Sequence, residues 1–428
     1  MKIGRLKLTL SNKRACAIAV ALTLRLSAQT PLTWEQVKAR FIAANPTLMA
    51  GRINVDETKA QEITAFLRPN PDVSLSVDGT QLTPSRGVYT PFSGTQFTPG
   101  ISYLHERQHK RELRLETAQQ ATGIAALQQA DEERTLLFNL RSAFVQTLQA
   151  KHLLALAKEE LDYFEKQYGI TQDRYRAGDI AQMDMQRIHL QRVQFESDYQ
   201  TAQVNLRTAK ITLLELLDQR TPVDQFDTDG NFEFSPTVDT LEHFRDMALA
   251  ERPDLRSALA AVEKAETDHR LAIANGSTDP TWSVWVTHNP SFNNPFDANT
   301  IGASVSIPLR LFDRNQGEKA RTEIDIRHAQ RLKDATQAQV FSDVDSAYFT
   351  LMSAVNLLTP YRSTYLTEAS DVREKIAFSY QRGGSALLDY LQAQQDYRSV
   401  QQAYVNLIAS YLMAAAQLNM AVGREVIQ

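Results

Sequence analysis

Cysteine is almost missing from these 428 residues: the single one, Cys16, stands near the amino terminus. Its neighbours Lys13-Arg14-Ala15 are not the apolar and small context of a lipid-modified cysteine. A lipid anchor is therefore not expected, and the remaining chain has no thiol, which suits an oxidising envelope. No run of eighteen apolar residues follows the first thirty, so no transmembrane helix is expected and any membrane crossing must use strands. Phosphate loops, dinucleotide fingerprints and serine nucleophile elbows are also lacking, which removes the common sequence signatures of an enzyme.

Glycine and proline are sparse over long stretches rich in Gln and Ala, and 22% of residues are charged. That is the composition of long helices and coiled coils. The amino terminus differs. Lys2, Arg5, Lys7, Lys13 and Arg14 precede an apolar run from Ala15 to Leu24, and Leu26-Ser27-Ala28 offers a cleavage site before Gln29. This pattern predicts a secretory signal over residues 1–28. A single-span anchor is the alternative, but ten apolar residues are too few to cross a bilayer. Removing residues 1–28, which carry six basic and no acidic residues, takes the formal charge from −4 to −10. An acidic chain of this kind is a poor partner for nucleic acid.

The sequence repeats itself. Asn45-Pro46-Thr47-Leu48 returns as Arg252-Pro253-Asp254-Leu255, Pro71-Asp72-Val73-Ser74 as Pro280-Thr281-Trp282-Ser283, and Gly100-Ile101-Ser102 as Gly302-Ala303-Ser304. Ser142-Ala143-Phe144 returns as Ser346-Ala347-Tyr348, and Tyr175-Arg176-Ala177-Gly178 as Tyr380-Gln381-Arg382-Gly383. Five matches in the same order predict a duplicated unit. The units span residues 29–218 and 240–428, with an irregular linker at 219–239 containing Pro222, Gly230 and Pro236.

Each unit opens with an amphipathic helix (roughly 33–66 and 240–273) and continues with two alternating segments. A very long helix follows, from about Arg107 to Tyr175 and about Gly317 to Tyr380. At 1.5 Å per residue each reaches roughly 100 Å. Pro360 inside the second removes a backbone donor and predicts a kink that the first copy lacks. Each long helix ends at a glycine turn, and Asp179 and Ser385 are placed to cap the helix that follows.

Val73, Leu75 and Val77 alternate with Ser74, Ser76 and Asp78; Ile301, Ala303, Val305 and Ile307 alternate with Gly302, Ser304 and Ser306. Trp282, Val284 and Val286 follow the same rule, with Trp285 out of phase. Such segments suit either a small soluble sheet or tilted strands with one face for lipid. Four strands do not close a barrel, and open edges are not tolerated in lipid, so a membrane role requires several chains to pool their strands. Polar segments from Thr83 to Ser93 and from Pro290 to Ala298 read as exposed loops.

His105-Glu106-Arg107-Gln108-His109 matches the zinc-protease pattern H-E-x-x-H. It lies where a strand passes into a helix, beside Lys110 and Arg111, and without a recognisable third ligand, so it reads as a chance match. His152, His189, His243, His269, His288 and His328 show no ligand spacing. No catalytic residue, metal site or cofactor is assigned.

Together the signal, the tandem unit of two strands and a long helix, and the turns Arg176-Ala177-Gly178-Asp179 and Arg382-Gly383-Gly384-Ser385 resemble the TolC-like outer membrane factors. The stretch Ile301-Gly302-Ala303-Ser304-Val305-Ser306-Ile307-Pro308-Leu309, continuing through Phe312-Asp313-Arg314-Asn315-Gln316-Gly317-Glu318, is similar to their CzcC and CusC heavy-metal efflux branch. The resemblance implies a mainly α protein with a small β part. In it a homotrimer closes a 12-stranded outer-membrane barrel over a helical periplasmic tunnel. It implies a passive duct with a periplasmic adaptor and an inner-membrane resistance-nodulation-division (RND) pump as partners, heavy-metal cations being one cargo. Drug export, service to an ABC exporter, or a soluble periplasmic helical scaffold are the alternatives. Ala177, Gly178, Asp179, Arg382, Gly383 and Gly384 would meet the adaptor. Tyr175, Asp184, Tyr380 and Asp389 would form the gate, with Tyr380 paired to Asp184. Ser385 stands where some relatives carry a basic residue, which leaves an arginine-based lock at the tip in question.

Overall fold

The computed structural model describes residues 31–92, 94–235, 237–289 and 299–427; the expected signal at 1–28 and the loop at 290–298 lie outside them. Each unit opens with two helices where one was expected. Helix α1 (Trp34–Ala44) stops before α2 (Pro46–Phe66), and α5 (Leu241–Glu251) stops before α6 (Pro253–Asn275). The break lies in Asn45-Pro46 and Arg252-Pro253. A proline ring forces the residue before it out of the helical region (ψ is 121° at both Asn45 and Arg252), yet fits the first helical position, where its missing N–H is not needed. Asn45 adds a cap, its Oδ1 accepting from Thr47 N at 3.0 Å and Leu48 N at 3.1 Å.

Four strands follow the alternation. β1 (Asp72–Asp78), β2 (Gln96–Leu104), β3 (Thr281–His288) and β4 (Asn299–Ser306) form one antiparallel sheet in the order 1-2-3-4. The register sets Val73 against Ile101, Ile101 against Val284 and Val284 against Ala303, so an apolar row crosses all four strands. This face is exposed: Val73 keeps 82% of its accessible surface and Leu75 68%. The opposite face carries Ser102, Ser283 and Ser304, with Thr98 and Thr287 hydroxyls 3.2 Å apart. Trp285 is out of phase because it belongs to this second face, where Gly100 and Gly302 make room for it. A Cβ on Gly302 would lie 2.5 Å from the indole.

The chain then turns sharply into the rods. His109 and Asn315 both take left-handed conformations (φ 54° and 62°) at the entrances to α3 (Lys110–Arg176) and α7 (Gln316–Pro360). The first rod therefore starts at Lys110, three residues later than expected, because Gln108 also has positive φ. Buried Lys110 fixes the corner, donating from Nζ to Asp279 Oδ2 at 2.5 Å and to the Ser277 carbonyl at 3.1 Å. Helix α3 has 67 residues and so reaches about 100 Å. Its counterpart is interrupted at Pro360, after which residues Tyr361–Tyr365 form a π turn before α8 (Leu366–Gln381). The proline nitrogen has no hydrogen for an i→i−4 bond, and the wider turn absorbs that loss. Helices α4 (Gln182–Leu216) and α9 (Leu387–Val422) return alongside.

Around α3, α2 and α4 pack on one flank and α6 and α9 on the other, with α7 beyond these. The main core lies where the helix pairs meet, in a belt of Phe41, Phe144, Leu213, Phe226, Leu351 and Leu418. Between α4 and α5 the described residues hold one 3₁₀ turn and a bridge from Thr228 to Leu32, and Phe226, Phe232 and Phe234 anchor the segment in that core. A second cluster, with Phe164, Phe195, Tyr380 and Tyr390, lies toward the far ends of the hairpins.

Candidate functional site

At the far ends, each long helix has to reverse into its neighbour. Gly178 and Gly383 supply the left-handed residue (φ 85° and 75°). Gly178 N donates to Tyr175 O at 3.0 Å and Asp179 N to Arg174 O at 2.9 Å; Gly383 N donates to Tyr380 O at 3.0 Å and Gly384 N to Ser379 O at 2.9 Å. Both turns are thus the same two-bond Schellman closure, with Tyr175 and Tyr380 in equivalent places. Ala177, Gly178, Asp179, Arg382, Gly383 and Gly384 are all exposed on these turns.

Capping differs from expectation. The residues preceding α4 and α9 are Ala181 and Ala386, not Asp179 and Ser385. The Schellman closure uses up Asp179 and Gly384, so two further residues are needed before the next helix begins. Ser385 Oγ instead donates to Ser379 Oγ at 2.6 Å, within its own turn. Asp184 and Asp389 both lie in a helical first turn, where a carboxylate is favoured by the helix dipole. Asp389 Oδ2 accepts from Ala386 N at 3.3 Å; Asp389 is exposed and Asp184 half-buried.

The two tyrosines are not equivalent in their surroundings. Tyr175 is exposed at 39%. Tyr380 is buried and stacks on Tyr390, the ring centroids 5.0 Å apart and the planes 14° apart. Its buried hydroxyl closes no hydrogen bond of good geometry among the described residues, although Thr171 faces it, and Asp184 acts on it through charge alone. Burial raises the phenol pKa, Arg174 lowers it, Asp184 raises it further and the Thr171 hydroxyl lowers it slightly. The hairpins are joined instead by Arg174, which donates from Nη1 to the Tyr380 carbonyl at 3.2 Å and covers the Tyr380 ring at 5.4 Å. Gln381 Nε2 adds a bond to Gln167 Oε1 at 3.2 Å.

Further along the rods, four helices share a half-buried polar layer around buried Glu160 that the sequence reading missed. Arg398 on α9 pairs with Asp198 on α4 at 2.6 Å and lies 3.7 Å from Glu160 on α3. Arg373 on α8 lies over Tyr397 at 3.7 Å and Tyr163 at 4.9 Å. Burial pushes the Glu160 carboxyl up to about 7, with Arg398 opposing the shift and Asp198 and Glu159 adding to it. A carboxylate on an otherwise apolar helix face was the available signal, but Glu160 follows Glu159 and reads as one of a solvated pair.

The H-E-x-x-H segment does not form a helical pair of ligands. Only His109 borders α3, in a left-handed conformation, and both Glu106 oxygens are held by Arg114 at 2.5 and 2.8 Å.

A sheet with one apolar exposed face, set on rods of about 100 Å, is the geometry against which known proteins can be compared. The sequence profile of outer membrane efflux proteins matches this chain twice, over residues 39–219 and 244–424. The cobalt-zinc-cadmium resistance protein CzcC of Cupriavidus metallidurans is 24% identical over 403 residues, covering 92% of this chain and 90% of that protein. TolC of Escherichia coli is 20% identical over 319 residues, covering 71% and 64%. Among solved structures CusC superposes with a TM-score of 0.75 at 18% identity, covering 91% of this chain and 92% of that one. With both copies of the unit matched and the same architecture recovered in three dimensions, the chain belongs to the outer membrane efflux protein family.

Proposed function

We propose that this chain is the outer-membrane exit duct of a tripartite efflux system. Three copies close a 12-stranded barrel, and the rods continue it as a tunnel into the periplasm. A periplasmic adaptor docks on the tips at Ala177, Gly178, Asp179, Arg382, Gly383 and Gly384, and an inner-membrane RND pump supplies the energy. Tyr175, Asp184, Tyr380 and Asp389 line the gate. The supporting observation is the open sheet: β1 and β4 are unpaired edges among the described residues, and the apolar face is exposed across all four strands. Such a sheet is stable in lipid only when further copies complete it.

Divalent heavy-metal cations are the proposed cargo, on the strength of the similarity to a cobalt-zinc-cadmium resistance protein along nearly the whole chain. The test is metal accumulation in cells lacking the gene. Loss of the duct should raise retained cobalt, zinc or cadmium, and restoring it should lower them. Unchanged metal content with increased sensitivity to organic toxicants would replace metal with drug export while keeping the duct.

A further inference from the structure

A half-open cavity of about 830 Å³ lies in the belt between α3 and α9, bordered by α1 and by residues 423–427. This is a size that accommodates a small ligand. Its walls are largely apolar, with Trp34, Leu137, Phe144, Leu148, Leu412 and Ala416 prominent. One cation faces this interior with no anion in contact among the described residues, Glu425 and Glu35 acting on it only at longer range. The Arg141 guanidinium sits 4.6 Å from the Trp34 ring centroid and 5.8 Å from that of Phe144, and among the described residues it has no ion pair or hydrogen bond.

Nearby charges are already engaged or distant. Both Glu425 oxygens are taken, one by Trp34 Nε1 at 3.1 Å and one by Lys38 Nζ at 2.9 Å. Arg134 donates to Asp131 and to the Met420 carbonyl. Glu35 is exposed at the rim, and Glu133 stands two helical turns, about 12 Å, along α3 from Arg141. A guanidinium shielded by aromatic rings and lacking an anion is costly unless something supplies one.

The free flanks of the chain are α2 and α4 on one side and α7 and α8 on the other, continuing the sheet edges β1 and β4, whereas α3 and α9 are inner neighbours. We propose that this cavity binds a single-chain anionic amphiphile, its carboxylate or phosphate headgroup on Arg141 and its hydrocarbon tail along the apolar walls of α3 and α9.

Native mass spectrometry of the purified full chain, titrated with laurate and with dodecanol, tests this. Laurate should give a saturable adduct of one per chain, and dodecanol should bind more weakly by roughly tenfold or more. Arg141→Gln should lose that preference and Arg141→Lys should keep most of it. Leu412→Trp, which leaves the charge and fills the cavity, should weaken both ligands. A fatty acid or lysophospholipid retained through purification by the native protein, and lost in Arg141→Gln, identifies an envelope lipid as the source. A protein purified empty that takes up laurate points to an exported anion instead. Equal binding of laurate and dodecanol, or laurate binding unaffected by both Arg141→Gln and Leu412→Trp, would overturn the assignment. So would an assembled structure with a neighbour's carboxylate on Arg141.

Discussion

Arg174, in the last turn of α3, reaches across to the second hairpin and holds Tyr380 twice, by its carbonyl at 3.2 Å and by its ring at 5.4 Å. One side chain thereby ties the two tips of a protomer together. A charged hydrogen bond with a cation–π contact is worth about 1–3 kcal/mol per chain. Arg174→Ala should loosen the tips and raise single-channel conductance in planar bilayers. Tyr380→Phe should do so less, because the hydroxyl it removes is unpaired within the chain. Equal conductance in the native protein and Arg174→Ala, with assembly intact, would show that this contact does not hold the gate.

Asp389 is exposed in the first turn of α9, where threefold repetition would make a ring of carboxylates. Asp389→Ala should reduce cation preference, read as a reversal potential closer to zero in a salt gradient. Loss of its bond to Ala386 N should also cost about 1 kcal/mol of helix stability, visible as a lower melting temperature. A stability loss without a change in reversal potential would restrict Asp389 to capping.

Glu160 makes the hairpins sensitive to pH. Its carboxyl binds its proton more tightly when packed, at about 7, than at its ordinary 4.5, because burial disfavours the charge. Between those values the packed state holds more protons than an opened one. The contribution of this group to stability is therefore fully present below about pH 4.5, falls as pH rises through that window, and levels off above it, by roughly 3 kcal/mol at most. The melting temperature of the native protein should drop between pH 5 and 8, and that part of the drop should vanish in Glu160→Gln. Parallel profiles for the two proteins would contradict this.

Much of this architecture was legible because it rests on local rules repeated twice. Alternation marked the strands, scarcity of Gly and Pro marked the rods, and Gly178 and Gly383 marked their ends. The helix breaks at Pro46 and Pro253 were missed although both prolines were seen, because a proline at the first position of a helix was read as lying inside one. Asp179 and Ser385 were misread as caps because a Schellman closure consumes one more residue than a simple turn. Arg174, Tyr390 and the Glu160 layer were hidden for a different reason. Their partners lie on other helices, Tyr380 being 206 residues from Arg174, and sequence spacing carries no information about such pairs. Duplication did not help, since the residue of the second copy equivalent to Arg174 is Ser379.

The two faces of the sheet should respond differently to charge. Leu75→Lys places an ammonium on the exposed apolar face and should cost about 2–4 kcal/mol at mid-membrane depth, depleting assembled protein from the outer-membrane fraction. Ser76→Lys, one residue on and facing the other way, should assemble normally. Equal tolerance of both would argue for a sheet in water.

Closure of the barrel by three copies is tested most directly by joining β1 of one copy to β4 of the next. The native chain has only Cys16, within the expected signal, so Ser76→Cys can be combined with Thr300→Cys, Ser304→Cys or Ser306→Cys to sample the register. Oxidised in the outer membrane and run on a denaturing gel, one of these pairs should yield a covalent species that stops at three chains. A ladder continuing past three, or monomer alone for every pair, would contradict the closed trimeric barrel.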